Sequence, residues 1–160
     1  MRFTDVFVPA RPQDSCDAAR WRQVIEQLSF ERGGPERVLS TYPLLRQSIQ
    51  WLREMRDDRF DDELGELVGR LGTLRRQCWE IAEAIDAGRA PVTQAASLKY
   101  RGTAFEVDVI EFARRVGLPA TGDGPLGRAL SASPGFSIRG GSSDVLLSII
   151  AKSETAGARS

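Results

Sequence analysis

Apolar residues recur at helical spacing along most of the chain. Trp21, Val24, Ile25 and Leu28 share one face of a first helix, which Gly33, Gly34 and Pro35 interrupt. Proline removes a backbone donor and disfavours helix at the residue before it, so a kink is predicted near Gly34. The pattern resumes at Val38, Tyr42, Leu45, Ile49 and Leu52, the alternating steps of a helix packed lengthwise on others. The charged run 53–62 mixes both signs and reads as a solvated turn. Leu64, Leu67, Leu71, Leu74, Cys78, Ile81 and Ile85 then mark a second long helix, for which Gly88 suits a C-terminal cap. A third follows Pro91, with Leu98, Gly102, Phe105, Val109, Phe112 and Val116 on one stripe and Gly117-Leu118-Pro119 ending it.

The two ends and one connection read differently. Residues 3–9 are rich in β-formers and stop at Pro9, which predicts a short strand or extended arm. One strand makes no sheet, so it has to pair with something outside this pattern. Residues 10–17 form a polar linker with Asp17 as a helix N-cap candidate. Residues 120–141, rich in Gly, Ser and Pro, read as a connection draped over the helices and long enough to carry function. A last short helix from about Ser142 carries Val145, Leu146, Ile149 and Ile150, and residues 153–160 are expected to fray. The predicted fold is all-α: an antiparallel four-helix bundle with a short N-terminal strand or arm. Residues 1–17 form the strand and linker, 18–155 the helical bundle domain and 156–160 the tail.

Composition narrows the function classes. The 160 residues suffice for one domain with a core, and 22 basic residues balance 22 acidic ones, so no basic face for nucleic acid is expected. No apolar stretch is long enough to cross a membrane, and Met1 to Asp5 lack the apolar core of a signal peptide, which places the protein in the cytoplasm. There is no histidine, which removes Ser-His-Asp and Cys-His catalysis and the usual zinc sites; no metal is expected. Cys16 and Cys78 read as reduced thiols, Cys78 as a small core residue. Lys99 and Lys152 are the only lysines. Acid–base chemistry must therefore come from a carboxylate, a lysine, a tyrosine or a cofactor.

Two segments carry candidate chemistry. In the first, Glu31 lies between Phe30 and two glycines, where backbone can approach a ligand closely. A carboxylate beside an aromatic ring and partly desolvated can serve as a base; the plain alternative is a solvated Glu-Arg pair on a helix surface. In the second, Arg139-Gly140-Gly141-Ser142-Ser143-Asp144 opens a helix whose free N–H groups suit an anion or a cofactor phosphate. Its alternative is a tight turn with Ser142 as an ordinary N-cap and Asp144 in the first turn.

Taken in this order on this helical pattern, the segments resemble the C-terminal part of the acyl-CoA dehydrogenase family over nearly all of residues 3–155. The family's last β-domain strand has a counterpart in Phe3-Thr4-Asp5-Val6-Phe7-Val8-Pro9. Its Gly-Thr-Ser-Glu turn has one in Gly141-Ser142-Ser143-Asp144, and its Ala-Ser-X-X-Lys step one in Ala96-Ser97-Leu98-Lys99. The resemblance implies α,β-dehydrogenation of an acyl-CoA thioester with FAD as hydride acceptor. Many members place the catalytic glutamate directly before the Gly-Thr-Ser turn, where this chain has Gly140. The isovaleryl and long-chain types place it on the first bundle helix before an arginine, which matches Glu31 followed by Arg32. Glu31 is therefore the implied base, with Arg32 bracing the turn at Gly140. Arg56, Arg59, Gly141, Ser142 and Asp144 are the implied flavin contacts. The family's Phe-Gly step after the pyrophosphate arginine is absent, and acidic residues surround Arg56 and Arg59.

Family members are well over twice this length. The chain is thus expected to be a C-terminal domain or split subunit that needs additional domains or a partner chain to hold FAD, and to be inactive when isolated. A homo- or hetero-oligomer is implied, with an electron-transfer acceptor as a further partner and no nucleic acid. The alternative is a non-catalytic helical module that dimerises or completes a partner without flavin. In an unrelated four-helix bundle, Glu31 would stand fully exposed.

Overall fold

The computed structural model describes residues 4–7, 23–24, 27–28 and 30–157. Its helices are α1 (Glu36–Leu39), α2 (Tyr42–Met55), α3 (Asp61–Asp86), α4 (Val92–Arg115), α5 (Pro125–Phe136) and α6 (Ser143–Gly157). Ahead of α1, residues 23–24, 27–28 and 30–32 are helical. Trp21, Ile25, Cys16, Asp17 and the ends of the 3–9 segment lie outside the described residues.

The two long stripes fold as their spacing predicts. On α3, Leu67, Leu71, Leu74 and Ile81 are buried, and Gly88 closes the helix with φ +71° and its N–H on the Ile85 carbonyl. Helix α4 is the hub: it packs against α1, α2, α3, α5 and α6. Its buried residues run around the whole cylinder, small ones (Ala95, Ala96, Gly102, Ala113) alternating with large ones (Leu98, Phe105, Val109, Phe112). A helix surrounded by neighbours needs such all-round burial rather than one apolar stripe. The short turn 87–91 makes α3 and α4 antiparallel neighbours, and α2, which the turn 56–60 joins to α3, also packs on α4. Phe60 meets Phe112 edge to face with ring centroids 6.2 Å apart, and the Trp51 indole N–H donates to the Val116 carbonyl at 3.0 Å.

Three expectations are corrected. The helix predicted through Val38 and Leu52 is divided at Ser40 and Thr41. Pro43 explains the division: it has no N–H for the Leu39 carbonyl and is tolerated only in the first turn of α2. The connection 120–141 is not a drape but contains α5, which starts with Pro125 and buries Leu126 and Phe136 against the core. That burial outweighs the poor helix propensity of its Gly and Ser residues. Helix α6 runs to Gly157 instead of fraying from Ser153. At the N-terminus, where a short strand or an extended arm was expected, residues 4–7 form no strand, and Val6 and Phe7 are exposed. Cys78 is free and half-buried at the core edge, and burial pushes its thiol up.

Removal of the Phe112 ring should cost about 3–5 kcal/mol, since the side chain is fully buried and its neighbours cannot collapse around it. The exposed Trp79, by contrast, should change stability by less than about 0.5 kcal/mol on substitution with alanine. Urea denaturation of Phe112→Ala and Trp79→Ala checks both values.

Candidate active site

The helical segment before α1 ends at the Gly33-Gly34-Pro35 break. Glu31 lies on its last turn with a side chain 48% exposed, so it is neither desolvated nor fully free. The expected aromatic shelter is absent because Phe30 is itself exposed. What holds the carboxylate is Arg37, whose Nη2 donates to Glu31 Oε1 at 2.8 Å. The same guanidinium donates through Nε and Nη2 to the Glu31 main-chain oxygen at 3.2 and 3.1 Å. Arg32, only 4% exposed, turns the other way and donates from Nε to the Gly140 carbonyl at 2.6 Å.

Gly140 and Gly141 form the facing turn, with φ of +74° and +113°. Side chains rarely adopt such backbone, and the turn is in contact with its neighbours. A Cβ on Gly140 would lie 3.5 Å from Arg37 Nη2 and 3.6 Å from Lys99 Cε, and one on Gly141 3.3 Å from Arg32 Nη2. The turn therefore lies directly on three cationic side chains. Beneath it, a Cβ on Gly102 of α4 would come within 2.6 Å of the Arg37 carbonyl oxygen, so only glycine lets α1 approach α4 this closely.

Two charged side chains of α4 are fully buried under this turn. Lys99, 1% exposed, donates from Nζ to the Phe136 carbonyl at 2.6 Å and to the Thr103 hydroxyl. Burial, reinforced by the nearby Arg37 charge, pulls its ammonium below the usual lysine range. Glu106, also 1% exposed, accepts from Arg139 Nη2 at 3.2 Å. Burial pushes its carboxyl up, against the opposing pull of the Ser40 hydroxyl, Arg139, Lys99 and Arg37. The Arg139 guanidinium also stands over the Phe136 ring, 5.0 Å from its centroid.

The structure thus brings Glu31, Arg32, Gly140 and Gly141 together. Ser142 and Asp144 follow at the exposed start of α6, where the Ser142 carbonyl accepts the Leu146 N–H at 3.1 Å. Arg56 and Arg59 stand apart, at the far end of α2, about 20 Å along its axis from Thr41. Arg59 is clasped by Asp57, with Nη2 to Oδ2 at 2.6 Å and Nε to Oδ1 at 2.8 Å.

A model of the family described as acyl-CoA dehydrogenase, C-terminal domain, matches residues 21–155. The chain belongs to this family. Among solved structures, it is similar to the glutaryl-coenzyme A dehydrogenase glutaryl-CoA complex, with a TM-score of 0.74 and 21% identity over 84% of this chain and 38% of that one. It is also similar to the steroid ACAD Tcur3481-Tcur3483 in a glycine-to-alanine variant, with a TM-score of 0.70 and 20% identity over 85% of this chain and 40% of that one. The acyl-CoA dehydrogenase domain seen here therefore spans about two fifths of the length of the structures it matches. No curated protein matches the sequence.

For an acyl-CoA dehydrogenase domain, fit to FAD divides between two places. The first-turn N–H groups of α6 point out of the helix end beside exposed Ser142 and Ser143, a donor set that suits the carbonyl oxygens of a flavin edge. The turn at Arg56 and Arg59 does not suit a pyrophosphate within one chain, because Asp57 occupies Arg59 and Asp58 and Asp61 stand beside it. Sequence reasoning passed over Arg37 and Glu106, named Arg139 only within the glycine-rich segment, and noted Lys99 only in a motif and as one of two lysines. A signal existed for two of them: Lys99 and Glu106 lie two helical turns apart in α4, flanked on both sides by core residues.

The raised Glu106 carboxyl has a consequence for stability. The folded protein holds this proton more tightly than the unfolded chain, so the stabilisation is complete below about pH 4.3 and is lost as pH rises through the folded-state value. The unfolding free energy of wild type minus that of Glu106→Gln should therefore decline as pH is raised from about 4.3. Urea denaturation of both proteins across that range measures the difference; a flat line would mean that Glu106 titrates as an ordinary carboxylate.

Proposed function

We propose that this chain furnishes the C-terminal helical part of an FAD-dependent acyl-CoA dehydrogenase, as a domain or a split subunit, and that Glu31 is its base. The observation that carries the reading is the shared Arg37: its guanidinium holds the Glu31 carboxylate and at the same time lies under Gly140. The glycine turn itself offers no carboxylate before Gly141; of the two carboxylates held by arginines around it, Glu106 is buried and Glu31 is half-exposed, which favours Glu31 as the base. An unrelated bundle would have no reason to bring these two segments together across more than a hundred residues of chain.

In this reading the Glu31 carboxylate removes the α-proton of an acyl-CoA thioester, the chemistry of a positioned general base. Its half-exposed position leaves one oxygen free of Arg37 to face a substrate. Arg32 fixes the Gly140 carbonyl and so the direction of the turn. Gly141, Ser142 and Asp144 form part of the wall that holds FAD, which when bound takes up the β-hydrogen as hydride. Arg56 and Arg59 are given no part in holding it, because Asp57, Asp58 and Asp61 oppose an anionic pyrophosphate there. The glutaryl-CoA complex of a structurally similar dehydrogenase agrees with a thioester substrate. No helix among the described residues is long and apolar enough to cross a membrane, which agrees with a cytoplasmic enzyme passing electrons to a separate acceptor.

The decisive measurement is turnover of acyl-CoA by the complete assembly that contains this chain. Glu31→Gln should lower it by roughly 10²–10⁴-fold while the flavin absorbance is retained. Ordinary turnover in that variant would remove Glu31 from the mechanism. An assembly that self-associates but shows neither flavin nor turnover in the wild type would instead mark a non-catalytic helical module.

A further inference from the structure

We infer that Arg37 is the positioning residue of Glu31, recruited by the break in the helix that carries it. In a continuous helix the Glu31 carbonyl would accept the N–H of residue 35. That residue is Pro35, which has none, so the carbonyl is orphaned in the last turn of the helix. Arg37 supplies the missing donors from two residues further on, with Nε and Nη2 both on the Glu31 main-chain oxygen at 3.2 and 3.1 Å. The same Nη2 reaches the side chain, 2.8 Å from Oε1. One planar guanidinium therefore fixes both the backbone and the carboxylate of a single residue, a geometry that a lysine ammonium cannot reproduce.

The clamp is itself held on every side. Arg37 is 4% exposed, its carbonyl lies against Gly102, and its guanidinium lies beneath Gly140. Glu36 adds a weaker contact, 3.5 Å from Arg37 Nε. The segment after the break thus does more than reverse the chain: it sets where the Glu31 carboxylate points. The inference rests on Glu31 being the base. Its own content is that Arg37 acts through Glu31 and touches neither substrate nor cofactor.

The test uses the complete assembly, a saturated acyl-CoA and an artificial dye as electron acceptor. Arg37→Lys keeps the charge but loses the fork, and should lower kcat by about 10²-fold, the cost of a misplaced reacting group, with KM and flavin content unchanged. The isotope effect from deuterium at the substrate α-carbon should grow, because proton removal becomes the slow step. In the Glu31→Gln background, Arg37→Lys should add no further loss. Wild-type kcat in Arg37→Lys, or the same loss with and without Glu31, would overturn the inference. Wild-type turnover in Glu31→Gln alone would instead overturn the reading of the base. The clamp is also visible without turnover: in ¹⁵N-arginine NMR of the chain, the Arg37 Nε–H should exchange slowly with solvent, and fast exchange would show that the clamp does not form.

Discussion

A helix buried on all sides can carry charge only if its neighbours bring partners to it. Helix α4 carries two such charges, Lys99 and Glu106, and the arrangement of the site follows from satisfying them. Lys99 takes the carbonyl at the end of α5, which fixes where that helix stops. Glu106 takes Arg139, which draws the segment after α5 back across α4. Beyond the second anchor the chain has only residues 140–142 in which to turn toward α6. Gly140 and Gly141 are where it does so.

The same anchors explain why two regions far apart in the chain meet. With the turn held from below by Lys99 and Arg139, its carbonyl at Gly140 faces the end of the first helical segment, where Arg32 receives it. Arg37 fills the space between, against the turn on one side and Glu31 on the other. Four cationic side chains (Arg32, Arg37, Lys99 and Arg139) thus gather around one glycine turn in a chain whose net charge is zero. Overall composition carries no trace of this local imbalance, because it arises only when the helices assemble.

How much of this was legible in the sequence depends on the range of the forces involved. The stripes of α3 and α4 were legible because burial imposes a regular period on a long helix. Helix α5 was not, since its Gly, Ser and Pro residues have the local preferences of a loop and become helical through packing of Leu126 and Phe136 on a core built elsewhere. The split between α1 and α2 was readable in principle from Pro43. At the site, Glu31, Arg32 and Gly140 were singled out from a resemblance, and their neighbourhood is seen only in three dimensions. Arg37 drew no notice, since nothing local marks it as buried. Arg56 and Arg59 were implied by the same resemblance, which says nothing about the twenty or so ångströms of α2 that separate them from the turn.

Gly102 makes the mounting of this site unusually stiff. Where two helices meet through interleaved side chains, their separation can drift as those chains hop between rotamers. Here main chain rests almost directly on main chain, with no intervening torsion to relax. Displacement of the segment bearing Arg37 is therefore tied to that of α4 as a whole, the helix with the most packed neighbours among the described residues.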